Sequence, residues 1–197
     1  MAHRVLKWHQ TTAPDKLVAD ILKLNDCGQS KKQLRSGDPR QHGCVLEPEA
    51  RQVYIEFKEE GHDVTVTEHG LFVHEQWPFL GASTDGLALD GNDIGVLELK
   101  CPVSELPVEA LAYECKNFCL EMGAARPFLK PSHKYYSQIQ MEMALTGCQW
   151  ADFVVFTQSH TSHSLFVQRV PFQAQFWGVC MSRMYFFHKV CLVGVCD

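Results

Sequence analysis

Asp85, Glu98 and Lys100 stand at the spacing D-x12-E-x-K inside the stretch Ala82 to Pro102, ASTDGLALDGNDIGVLELKCP. The turn formers Asp90-Gly91-Asn92-Asp93 lie midway, and a four-residue loop centred there pairs positions whose numbers sum to 183. Leu89 then faces Ile94, Leu87 faces Val96, and Asp85 faces Glu98. Strand side chains alternate, so Glu98 and Lys100 share a face and three charges meet at one end of the hairpin. Two carboxylates opposed across strands repel each other, an arrangement no fold adopts for stability. A hard divalent cation such as Mg²⁺, bound by carboxylate and carbonyl oxygen, turns that repulsion into coordination. Lys100 beside it could hold and deprotonate an attacking water, or balance charge building on a phosphate. The plain alternative is a turn at Asp85-Gly86 with Glu98 and Lys100 as an ordinary surface pair. Val96, Leu97 and Leu99 weigh against it, because that strand reads as buried on both faces, where unpaired charge is expensive.

The surrounding elements must deliver those charges to one place. Ala13 to Asn25 places Leu17, Val18, Ile21 and Leu22 on one stripe behind Pro14, as an amphipathic helix does. Residues 26–42, rich in Gly, Ser, Pro and positive charge, read as a loop with room to move. Pro48 to Glu60 predicts a second helix with Ala50, Val53, Tyr54 and Phe57 inward, Gly61 as its stop and Glu47 at its start. Residues 63–74 predict two short strands around a turn. After the hairpin, Ser104 to Glu121 is helix-like, with Leu106, Leu111, Tyr113 and Phe118 as candidate buried positions. Ser132 is the expected cap of a helix reaching Leu145 and closed by Gly147. Trp150 to Thr157 and Ser164 to Val170 predict strands, and Phe172 to Val190 a last helix. The order describes an α/β (α+β) protein with a mixed sheet flanked by helices.

A chain of 197 residues that is 46% hydrophobic can bury one full core, and a single domain over 1–197 is expected. Its apolar runs are too short for a bilayer, and MAHRVLKWHQ carries no secretory signal, so an intracellular protein is expected, nuclear in a eukaryote. Nine Cys without regular spacing fit reduced thiols, several at core positions such as Cys148 and Cys180. Net charge is −5, unevenly spread. Residues 1–40 hold eight Lys/Arg against four Asp/Glu, residues 41–125 four against sixteen, and residues 126–197 six against three. An acidic middle between basic ends suits a cation centre with phosphate-contacting margins, although solvated faces can also cluster in this way.

Four ordered segments carry a resemblance. Gly43, Glu47, Ala50 and Tyr54 form G-x3-E-x2-A-x3-Y, and Ala82-Ser83-Thr84-Asp85-Gly86 forms an aSxDG turn. Glu98-Leu99-Lys100-Cys101-Pro102 gives E-x-K-C-P, and Tyr135 or Tyr136 with Gln138, Gln140 and Thr146-Gly147 gives Y-x2-Q-x-Q before a threonine-glycine. Together they resemble the PD-(D/E)xK nuclease superfamily and, within it, the YqaJ-like, lambda-exonuclease-type viral recombinase branch, over a motif-bearing core of about 43–170. The resemblance implies a restriction-endonuclease-like fold and a metal-dependent deoxyribonuclease, an exonuclease acting from duplex ends in recombination or repair. By the same resemblance Asp85, Glu98 and the Leu99 carbonyl would ligate Mg²⁺ or Mn²⁺, with Lys100 as the catalytic lysine. Glu47 would be a further ligand, directly or through water, and Gln138 would contact the attacking water or the scissile phosphate. Taken singly, Glu47 is an ordinary carboxylate favoured by a helix dipole and Gln138 a solvated helix residue. The family's usual N-terminal arginine and small-residue motif does not stand out in MAHRVLKWHQ, and Ser83-Thr84-Asp85 replaces the commoner Ser-Pro-Asp.

Lys31, Lys32, Arg35 and Arg40, and Lys130, His133 and Lys134 before the Gln138 helix, are candidate DNA contacts, a solvated loop being the equal alternative for the first four. Trp77, Phe79 and Trp150 read as core before they read as base-stacking platforms. Zinc and iron–sulfur sites are disfavoured, since no C-x2-C pair exists. The rival functions are an inactive nucleic-acid-binding or assembly module on the same fold, and a sequence-specific endonuclease. A homo-oligomer is compatible with the branch, some of whose members are toroidal trimers.

Overall fold

A computed structural model describes residues 39–59 and 63–193. The expected helix over Ala13 to Asn25, and Gly61, lie outside the described residues. The chain divides into two compact units, one ending at Phe172 and the other resuming at Gln173.

The first unit is built on a mixed five-stranded sheet in the order β1-β4-β5-β8-β9. Its strands are β1 (Val64–Thr67), β4 (Gly86–Asp90), β5 (Asp93–Lys100), β8 (Trp150–Gln158) and β9 (His163–Pro171). Neighbours run antiparallel except β5 and β8, which are parallel. Two small hairpins stand apart from this sheet, β2 (Phe72–Val73) with β3 (Gly81–Ala82), and β6 (Leu120–Met122) with β7 (Pro127–Leu129). The two strands expected over residues 63–74 therefore join different sheets.

Helix α1 spans Pro39–Glu59, nine residues longer at its start than the pattern predicted. Pro48 does not open it; it lies inside, where the missing N–H removes one ladder bond. Pro39 takes the first position, which suits proline because that N–H has no helical partner anyway. Leu46, Ala50 and Tyr54, spaced by one turn, are buried, and Ala50 and Tyr54 join Val64, Ala88, Leu97, Leu99, Val154 and Phe156 in one cluster. Phe57, expected inward, is 53% exposed. Lys58, four residues after Tyr54, takes the inward position and bonds Asp90 (2.8 Å).

Helix α2 covers only Val108–Glu114 of the expected Ser104 to Glu121, since the β6–β7 hairpin takes over from Leu120. Leu111 is buried as expected, but Leu106 is exposed and Tyr113 is 82% exposed. Helix α3 (Lys134–Thr146) ends at Gly147 in the left-handed region, φ 79°. Its cap is His133, whose Nδ1 accepts from the Tyr135 N–H (3.3 Å), one residue beyond the predicted Ser132. In the second unit, α4 (Ala174–Phe187) runs into a π-helical segment, His188–Val193, and buries Cys180, Met184 and Phe187 along one stripe. Among the described residues no helix is long and apolar enough to cross a membrane.

The hairpin register is the predicted one: Leu89 with Ile94, Leu87 with Val96, Gly86 with Leu97. Its loop is tighter than the four residues expected, only Gly91-Asn92, with Gly91 at φ 63° in the first central position that a type II′ turn reserves for glycine. An ionic network secures that end of the hairpin. Asp90 accepts from Lys58 and Arg169 (2.7 Å), and buried Asp152 accepts from Arg169 (2.9 Å) and the Tyr54 hydroxyl (2.8 Å). The Trp150 ring packs between Gly95 and the Arg169 guanidinium, 3.6 Å from the ring centre.

Candidate active site

The other end of the hairpin is where the charges gather. Strand β4 begins at Gly86, so Asp85 stands at a bend just before it, one step past the Gly86–Leu97 pair that ends the ladder with β5. Both main-chain groups of Leu99 face that side and lack a strand partner there. The Asp85 carboxylate fills one gap, accepting from the Leu99 N–H at 2.7 Å. The Lys100 ammonium fills the other, 3.0 Å from the Leu99 carbonyl oxygen, while also bonding Glu98 Oε1. A cation already touches two of the oxygens expected to hold a metal.

Glu98 is 1% exposed and lies on the α3 face of β5. There Gln138 Nε2 donates to Glu98 Oε1 (2.6 Å) and to Glu142 Oε1 (2.8 Å). Glu142 is also 1% exposed, and Oε2 of both glutamates is buried with no partner among the described residues. Burial pushes the Glu98 carboxyl well above its ordinary value; Lys100 opposes the rise, and Glu142 and Asp85 add to it. Burial likewise lifts Glu142 to about 7. Burial alone would lower the Lys100 ammonium, but Glu98 and Asp85 outweigh it and raise it, so Lys100 is charged here. The Tyr135 ring lies 4.9 Å from Lys100 Nζ and 5.1 Å from Lys134 Nζ.

On the opposite face, α1 contributes Glu47 and Arg51. Glu47 is not at a helix start but well inside α1, so a helix-terminal dipole does not account for it. Arg51 Nη2 bonds Glu47 (3.0 Å) and the Asp85 carbonyl oxygen (2.9 Å), while Nη1 bonds Glu68. Burial, then Asp85, raises the Glu47 carboxyl above its ordinary value.

A hard divalent cation fits this donor set. Two carboxylates and the main-chain carbonyl of Leu99 are oxygen ligands, and the partnerless Glu98 Oε2 is buried where an unpaired oxygen is costly. Among the described residues no three His, Cys, Asp or Glu side chains form a metal cluster by themselves. The set thus depends on the main-chain oxygen of Leu99.

The family model for the YqaJ-like viral recombinase domain matches residues 3–149. The chain belongs to that family. This YqaJ-like chain is similar to the solved structure of an alkaline exonuclease (LHK-Exo) from Laribacter hongkongensis; the two are 27% identical, with a TM-score of 0.66, over 94% of this chain and 84% of that one. A structure of LHK-Exo in complex with dAMP is 26% identical with a TM-score of 0.59, covering 98% of this chain and 93% of that one. No curated protein matches. The mixed sheet flanked by helices is thus the fold of the YqaJ-like branch of PD-(D/E)xK proteins.

Asp85, Glu98, Leu99, Lys100, Glu47 and Gln138 all come to the junction just described, whereas Gln140 points away. Two helical residues apart from Gln138, it is fully buried and donates to the Pro171 carbonyl oxygen (2.9 Å). The predicted DNA contacts separate. Lys31, Lys32 and Arg35 lie outside the described residues, and Arg40 belongs to the first turn of α1. Lys130 Nζ is engaged by the carbonyl oxygens of Lys116 (2.9 Å) and Phe118 (2.8 Å), and His133 caps α3. Among the described side chains of this set, Lys134 is the one that reaches the rim of the junction, through Tyr135. Sequence reasoning missed Arg51 and Glu142. Each sits four residues beyond a residue it did select, Glu47 and Gln138, and that helical spacing was the available signal.

Proposed function

We propose that this YqaJ-like chain is a divalent-metal-dependent deoxyribonuclease that works as an exonuclease from duplex DNA ends in recombination. The observation that carries the reading is the junction of Asp85, Glu98, the Leu99 carbonyl, Lys100 and Gln138 at one end of β5. The similarity to an alkaline exonuclease, one of whose structures holds dAMP, supports DNA as substrate.

Asp85, Glu98 and the Leu99 carbonyl would hold Mg²⁺ or Mn²⁺, with Glu47 as a further ligand directly or through water. When bound, the ion supplies a Lewis acid for the phosphate oxygens and activates the attacking water. Lys100, being charged, contributes as an electrostatic group beside the phosphate and the water, not as the free amine of a general base. Gln138 adds a neutral amide, which can orient a reactant without adding to the negative charge. Water oxygen bonds to phosphorus as the P–O3′ bond breaks, leaving a 5′ phosphate and a 3′ hydroxyl. Lys134 beside Tyr135 is the described cation best placed for backbone phosphate, with Lys31, Lys32, Arg35 and Arg40 as further contacts and Lys130 and His133 as secondary ones. A homo-oligomer of this single nuclease domain is compatible with the family, and sedimentation reads the assembly.

The test is the product ladder from an end-labelled linear duplex, with Mg²⁺ and with EDTA. Progressive shortening that needs Mg²⁺ and vanishes in Asp85→Ala supports the proposal. Cleavage of a closed circle would point instead to an endonuclease, and DNA binding without cleavage to an inactive binding module.

A further inference from the structure

Gln138 has one amide nitrogen with two hydrogens, and both are committed: Nε2 donates to Glu98 Oε1 (2.6 Å) and to Glu142 Oε1 (2.8 Å). An amide set between two ionised carboxylates can present only its nitrogen to them, so above about pH 7 its orientation is decided by the network. Its oxygen must then point away. Among the described residues no donor reaches Gln138 Oε1, yet that atom is not among the buried partnerless ones, so it opens to solvent. Glu98 alone would leave one N–H free and the amide able to rotate. Glu142, 1% exposed and one helical turn further along α3, removes that freedom.

We propose that Glu142 is a positioning residue that locks the Gln138 amide with its N–H groups inward and its carbonyl oxygen outward. Gln138 then meets the reaction as a hydrogen-bond acceptor for the attacking water, and not as a donor to the scissile phosphate. This rests on the nuclease reading above and deepens it, because the family resemblance leaves both partners open. A phosphate oxygen is acceptor-only and has nothing to offer a carbonyl oxygen, whereas a water donates to it directly. Glu142 acts through Gln138 and touches no reacting atom.

Two measurements test this. The first is the side-chain amide NMR of ¹⁵N-labelled protein in metal-free buffer, with the Gln138 pair assigned by its loss in Gln138→Met. Wild type should show a dispersed, exchange-protected pair, and Glu142→Met should move it to the position of solvated amides. Glu142→Gln, which keeps an acceptor oxygen at that place, should retain much of the dispersion. The second is steady-state cleavage of linear duplex with Mg²⁺. Glu142→Met should lose about tenfold to a hundredfold in kcat, as expected for a misplaced reactant, with KM unchanged, and Glu142→Gln should recover most of the loss. An increase in KM at constant kcat would show that the amide binds phosphate and would overturn the inference, as would an unchanged Gln138 spectrum in Glu142→Met. If wild type shows no cleavage, the nuclease reading fails separately, and the spectra still decide whether Glu142 locks the amide.

Discussion

Replacing Lys100 by Met removes the one cation among the described residues that touches Glu98, while keeping an apolar stem of similar length. Glu98 is 1% exposed, so solvent cannot take over the role of the ammonium. Breaking a buried pair by deleting one partner typically costs about 3–5 kcal/mol. Glu98 has one escape, which is to take up a proton. From an ordinary value of 4.5, holding the carboxyl neutral costs about 1.4 kcal/mol per pH unit, or about 5 kcal/mol at pH 8 and about 1 kcal/mol or less at pH 5. Because Glu98 is already raised with Lys100 in place, wild type bears part of that cost, and the destabilisation of Lys100→Met lies below those two values. Urea unfolding in EDTA at both pH values measures it, and a large loss at pH 8 that shrinks several-fold at pH 5 is the expected outcome. Millimolar Mg²⁺ should restore more stability to the variant than to wild type, because the ion enters oxygens the ammonium no longer occupies. Cleavage should be abolished throughout. Equal stability of the two proteins at pH 8 in EDTA would show that Lys100 does not balance a buried charge, and wild-type cleavage would remove it from the catalytic set.

Other parts of the structure carry their own expectations. Arg51→Met frees the Asp85 carbonyl and Glu47 from a competing cation, so the Mg²⁺ needed for half-maximal binding by calorimetry should fall several-fold, with little change in circular dichroism. Glu142 is raised from 4.5 to about 7 in the fold, so the folded state holds the extra proton: stability is full below about pH 4.5 and falls as pH rises to about 7 in metal-free buffer. Thermal unfolding across pH 4.5–8, with EDTA and with Mg²⁺, checks that sign and its reversal by the ion. Gly95→Ala drives a methyl group into the Trp150 ring beneath Arg169, and urea unfolding should show a loss of about 1–3 kcal/mol without loss of the cleavage product pattern.

Strand period and turn chemistry are local, and on them the sequence alone was decisive. Asp90-Gly91-Asn92-Asp93 and the alternation of Leu87, Leu89, Ile94 and Val96 determined the hairpin register, and that register put Asp85 beside the Glu98-x-Lys100 edge. The α3 stop at Gly147 and the strands β8 and β9 were legible for the same reason. Pro48 misled because proline usually marks a helix start, but buried Leu46 and Ala50 on either side of it hold α1 continuous through the missing bond. The residues predicted buried near Ser104 to Glu121 also separated: a β6–β7 hairpin takes over from Leu120, and on α2 the buried side is Val108, Leu111 and Ala112, with Tyr113 outside. Only the tertiary structure joined Arg51 to Asp85, or Glu142 to Glu98 through Gln138. Those partners lie 34 and 40 or more residues apart, on helices packed against opposite faces of one sheet. Periodicity assigns a side chain to a face of its own element; which foreign group that face meets depends on how the layers stack, and burial between them is what makes the meeting of Glu98 and Glu142 energetically consequential.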